Sequence, residues 1–115
     1  MRCIEKEIWN PPHSPYLDWI RSGVKKYEGK TADKIGLWNL TTVNAITFYD
    51  RDHPNDKVTC NVLGWKQYDS FGDAYDDLGD ALIPNSNREK VIELYREIYK
   101  RDVKNVIAIE IEVKS

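Results

Sequence analysis

The chain has 115 residues, enough for one domain with a single core, and its 41% hydrophobic and 31% charged content is that of a folded protein, not a disordered tail. A net charge of −2 excludes a global pull toward nucleic acid and leaves room only for a local basic site. No apolar run approaches the roughly 18 residues needed to span a membrane, and the opening MRCIEKEIWN alternates charged and apolar residues as no signal peptide does, so a cytoplasmic protein is expected.

Ile4 to Trp9 reads as a first strand, ended by Pro11 and Pro12, which cannot donate to a ladder. Ser14 is placed as an N-cap and Pro15 as the first residue of a helix through Tyr16, Leu17 and Ile20. Gly23 stops that helix, because glycine tolerates the left-handed conformation that follows a helix end. Val24 to Glu28 is a short strand or a turn leading into one. Gly29 to Thr42 is polar and broken, with Leu37, Trp38 and Leu40 as packing anchors.

Ala45 to Tyr49 is the next strand, and Asp50 to Asp56 a hairpin loop. In the strand Lys57 to Trp65, Val58, Cys60 and Val62 point one way and Thr59 and Asn61 the other. Ser70 with Asp73 resembles a capping box for a short helix ending near Gly79. Ser86 with Glu89 repeats the signal ahead of a helix carrying Val91, Ile92, Tyr95, Ile98 and Tyr99 at helical spacing, with Lys100 and Arg101 at its negative end. Val106 to Val113 is a half-buried strand with Ile107, Ile109, Ile111 and Val113 on one face and Glu110 and Glu112 on the other.

Four or five strands and three helices in mixed order, over one domain spanning 1–115, predict an α+β fold. Pairing of the first and last strands would close a small barrel and remove exposed edges.

Chemistry concentrates in Gly23 to Lys30, GVKKYEGK, inside a basic stretch that includes Arg21 and Lys34. On an extended chain Lys26, Glu28 and Lys30 share one face, and Lys25 and Tyr27 the other. Three cations near one carboxylate can hold a phosphate, and Tyr27 can stack on a base. The plain alternative is a solvated salt-bridge strand with Tyr27 in the core.

Several other features carry no site. Cys3 and Cys60 are far apart and lack zinc-ligand spacing, so both read as thiols. His13 and His53 have no ligand-spaced partner and read as loop residues. The aspartates from Asp69 to Asp80 lack the glycine and closing glutamate of an EF-hand and read as a solvated helix face. Trp9, Trp19 and Trp38 read as core, whereas Trp65, at a strand end, is a candidate stacking platform. No metal and no cofactor is expected.

Gly23, Lys25, Glu28 and Lys30 follow the spacing glycine, any residue, lysine, two residues, glutamate, one residue, basic residue. Further elements follow in order: Ile46–Thr47–Phe48 in a strand, Tyr68, Ser70 and Phe71 opening a helix, Leu82–Ile83–Pro84, Tyr95, Ile98 and Tyr99 closing a helix, and a last strand at Val106 to Glu112. Taken together these resemble the ASCH domain, a branch of the PUA-like β-barrels. The chain departs from that pattern at Lys30, where arginine is usual, and at Thr42–Val43–Asn44–Ala45, where a Val-Gly-Asp turn is common.

The resemblance implies a PUA-like mixed barrel of about five or six strands flanked by helices. It also implies a cleft beside the barrel, lined by Lys25, Glu28 and Lys30 with Lys26 at its rim. Such clefts are thought to bind RNA or nucleotides. Two function classes follow. One is a module binding single-stranded RNA or a nucleotide through Lys25, Lys26, Tyr27, Glu28, Lys30, Trp65 and Ser70. The other is a small hydrolase, a ribonuclease or an amidohydrolase acting on acetylated cytidine, with Lys25 and Glu28 as catalytic residues and Glu89 in the region of a distant glutamate. The amidohydrolase branch carries threonine where this chain has Glu28.

Overall fold

The computed structural model describes residues 2–8, 15–32 and 43–114. The expectations at Trp9, Pro11, Pro12, His13, Ser14, Lys34, Leu37, Trp38, Leu40 and Thr42 lie outside these residues. Among the described residues the elements are β1 (Arg2–Ile8), α1 (Tyr16–Ser22), β2 (Tyr27–Thr31), β3 (Val43–Asp50), β4 (Lys57–Tyr68), α2 (Phe71–Leu78), a 3-10 turn (Gly79–Ala81), α3 (Arg88–Tyr99) and β5 (Val106–Val113). They form an α+β fold whose single sheet, in the order β1-β3-β4-β5-β2, curls into a half-barrel.

The sheet is mixed. β1 runs parallel to β3, and the other neighbours are antiparallel. The expected pairing of first and last strands is not how it is built. β5 lies between β4 and β2, while β1 pairs with β3, so β1 and β2 are the sheet's two edges. β5 is accordingly more than half-buried. Val106, Ile107, Ala108 and Ile109, which point alternately to its two faces, are all inside. The alternation seen in sequence survives as register: Tyr27 pairs with Glu110, and Glu28 with Ile109.

Local chemistry explains the element ends. Gly23 takes φ +82° and its N–H bonds the Ile20 carbonyl, closing α1 in the left-handed conformation. β2 starts at Tyr27, so Val24 to Lys26 is the turn leading into a strand, the second of the two expectations. The preceding backbone is used elsewhere: Lys25 N–H donates to Trp19 O at 3.1 Å and Lys26 N–H to Ala81 O at 2.7 Å. The 50–56 hairpin closes through Asp50 N–H to Asp56 O at 3.0 Å.

Ser70 caps α2 as expected, its hydroxyl accepting from Asp73 N–H at 3.1 Å. The cap of α3 is Asn87, one residue beyond the expected Ser86; its side-chain oxygen accepts from Lys90 N–H at 2.9 Å. Both residue types cap well. The Ser86 carbonyl instead accepts from the Tyr75 hydroxyl at 2.6 Å, which ties α2 to the start of α3.

One core runs through the molecule. Leu17 and Ile20 of α1 meet Ile46, Phe48 and Cys60 of the sheet, and Phe71, Val91 and Tyr95 join α2 and α3 to it. No helix among the described residues is long and apolar enough to cross a membrane.

Candidate functional site

A cleft of about 220 Å³ opens where the edges of β1 and β2 face each other. Lys6, Glu7 and Ile8 come from β1, and Glu28 and Gly29 from β2. Tyr16 of α1 and Tyr95, Ile98 and Tyr99 of α3 wall it, and Arg51 stands at the rim. Arg51 is held there by its own backbone, whose N–H donates to Ile8 O at 3.0 Å.

The tyrosine wall is built by stacking. Phe71 lies on Tyr95 with ring centroids 3.6 Å apart and planes 6° apart, and Tyr95 is followed by Tyr99 at 6.4 Å. The stack rests on bare backbone at Gly29. A Cβ there would sit 2.7 Å from the Tyr95 hydroxyl oxygen and 2.8 Å from Phe71 Cε1. Only glycine lets α2 and α3 approach β2 this closely.

Glu28 lines the cleft. It is 9% exposed, and its carboxylate makes no hydrogen bond and no ion pair among the described residues. Its charge favours the ammonium form of the buried Lys25. Its field acts on its neighbours. Burial, and then Glu28, hold the Tyr95 phenol well above its ordinary pKa, so this hydroxyl stays a proton donor.

Lys25 is also buried, at 2% exposure, but it turns away from the cleft. Its ammonium donates to Tyr27 O at 2.6 Å and Leu82 O at 2.5 Å, and lies 5.7 Å from the Tyr16 ring centre. Burial, only partly opposed by Glu28, brings it down from 10.5 to about 8. Lys25 therefore ties β2 to the turn after α2.

The remaining sequence candidates are dispersed. Lys26 is exposed and borders a different depression with Glu110 and Glu112. Tyr27 donates to Glu110 Oε2 at 3.4 Å with Lys66 5.8 Å above its ring, on the opposite sheet face from Glu28. Lys30 is half-buried opposite Ile107. Trp65 is 47% exposed; it shares a row with Glu28 through Ile109, two strand spacings or about 10 Å away. Ser70 is a helix cap beside another groove. Glu89, in the first turn of α3, is exposed and outside the cleft.

Of the eight-residue motif, only Glu28 and Gly29 reach the cleft. Lys6, Tyr16, Arg51, Tyr95 and Tyr99 are site residues that the sequence does not single out. Gly29 beside Glu28, and the i, i+4 pair Tyr95 and Tyr99, are the signals it does carry. Their convergence depends on β1 and β2 being edges that face one another.

No family model matches the chain, and no curated protein matches it. Among solved structures it is similar to the crystal structure of the hypothetical protein PH0355, with a TM-score of 0.70 and 22% identity over 98% of this chain and 100% of that one. At that identity the likeness establishes the shared fold.

Proposed function

We propose that the chain is a binding module for one nucleotide unit, free or within single-stranded RNA, seated in the cleft between β1 and β2. The carboxylate of Glu28, which lines the cleft and makes no hydrogen bond and no ion pair among the described residues, carries this reading. A ligand with N–H donors would supply hydrogen bonds to it. Tyr16, Tyr95 and Tyr99 offer ring surface to a base, and Lys6 and Arg51 bring positive charge to the rim for a phosphate. At about 220 Å³ the cleft is smaller than the about 300–1,000 Å³ of typical drug-sized sites, which favours a single unit over a longer stretch. The ordered resemblance to ASCH domains, and the cytoplasmic setting read from the sequence, support the same reading.

The test is a calorimetric titration with a short single-stranded RNA over a range of salt, for wild type and the double variant Lys6→Ala, Arg51→Ala. Binding should weaken in the variant, and the slope of log K against log salt should shrink by about 0.7 for each phosphate no longer neutralised. Absence of binding by wild type, or an unchanged slope, would remove the reading.

A second reading is the hydrolase, favoured by the lowered pKa of Lys25, about 8, which leaves an appreciable neutral amine near neutral pH. It requires product from acetylated cytidine or RNA with wild-type protein. Against it stand the two carbonyls that hold the Lys25 ammonium outside the cleft.

A further inference from the structure

Glu28 is an acceptor-only group, with two oxygens and no proton to give when ionised. It lines the cleft and makes no hydrogen bond and no ion pair among the described residues. The cleft thus offers two acceptors on one carboxylate.

Bases differ in how they meet such a carboxylate. The Watson–Crick edge of guanine carries two adjacent donors, N1–H and N2–H, flanked by the O6 acceptor. Adenine and neutral cytosine each put a lone pair, N1 or N3, next to their single amino donor, and that lone pair would face the carboxylate. Uracil puts its one N–H between two carbonyls. A bidentate, charge-assisted pair to a carboxylate is therefore open to guanine alone among the four. A site built around such donors strongly rejects analogues that lack one, because its own buried group is then left unpaired.

Resting on the nucleotide-binding reading above, we infer that the cleft is a guanine-selective site in which Glu28 accepts from N1–H and N2–H. Lys6 and Arg51 then serve the 5′ phosphate and add affinity without selecting a base.

The experiment is isothermal titration calorimetry with the 5′-monophosphates of guanosine, inosine, adenosine, cytidine and uridine. Inosine differs from guanosine only in lacking the 2-amino group. The guanosine nucleotide should bind at least about tenfold tighter than the inosine nucleotide, the contribution of one charge-assisted hydrogen bond, and tighter still than the other three. In Glu28→Gln, which keeps shape and removes the charge, the guanosine-to-inosine ratio should fall toward one. The wild-type series decides the question even if that variant folds poorly. Nucleotides that bind without preferring guanosine over inosine would overturn the guanine assignment and leave the nucleotide site standing. A guanosine preference that survives in folded Glu28→Gln would also overturn it. No binding by any of the five would remove both.

Discussion

Lys25 donates to the carbonyls of Tyr27 and Leu82, so replacing it by methionine keeps most of the bulk but leaves two buried acceptors unsatisfied. We expect Lys25→Met to destabilise the fold by about 2–4 kcal/mol, read as a shift in urea midpoint. The same residue sets a pH dependence. Its folded pKa of about 8 lies below its unfolded value of 10.5, so the unfolded chain binds more protons at this site between those limits, and stability rises with pH across them. Cys60 acts in the other direction: burial lifts it from 9.0 to about 11, so stability falls as pH climbs from 9. Wild type should therefore gain stability between about pH 8 and 9 and hold it level from there to about pH 10, where the two effects cancel, while Lys25→Met shows no rise and falls from about pH 9. Denaturant melts at half-unit pH steps check this, and an identical profile in the two proteins would contradict it.

Gly29 is the other residue with a sharp expectation. A methyl group there meets Tyr95 and Phe71 at under 3 Å, so Gly29→Ala must push the ring stack outward. A cost of about 1–3 kcal/mol is expected from overpacking, together with loss of ligand binding as the cleft wall moves. Thermal melts and titration of the same sample read the two effects separately.

At the scale of elements, caps and register explain most of what is seen. Ser70→Ala removes the hydroxyl that accepts from Asp73 N–H and should cost about 1 kcal/mol, leaving ligand affinity untouched because Ser70 lies outside the cleft. A loss of affinity in a folded Ser70→Ala protein would place the ligand elsewhere. Elements whose cause is local are legible in the sequence. Gly23 ends α1, Ser70 starts α2, and β5 runs from Val106 to Val113, all as the residue pattern predicts. Where two adjacent residues compete for a role, the pattern points to the neighbour: Asn87 and not Ser86 caps α3. The start of β2 is legible only as a choice between strand and turn, because Lys25 and Lys26 bond their backbone N–H groups to α1 and to the turn after α2, partners that local sequence does not reveal. The site is legible only in part for the same reason. Glu28 stands out by its motif, but its surroundings come from β1, α1 and α3, which are distant in sequence and meet only when the sheet curls.

At the scale of the whole molecule, the sheet order decides where a ligand can sit. Placing β5 between β4 and β2 leaves β1 and β2 as edges, and the half-barrel leaves a gap between them that helices close from one side. Edges expose unpaired backbone groups, whereas β3, β4 and β5 are bonded on both sides. Amide hydrogen exchange should be slowest in β4 and β5 and markedly faster at alternate positions of β1 and β2, with added ligand slowing exchange at the two edges. The Cα radius of gyration, 13.2 Å, matches the about 13 Å of a folded chain of this length.

The most direct test of the nucleotide cleft is a two-dimensional amide NMR titration with guanosine 5′-monophosphate. The account predicts saturable shifts at Lys6, Glu28, Gly29 and Arg51 and at the Tyr95–Tyr99 end of α3, with Lys26, Ser70 and Trp65 unmoved. Shifts centred on those last three residues, or no saturable shifts at all, would contradict it.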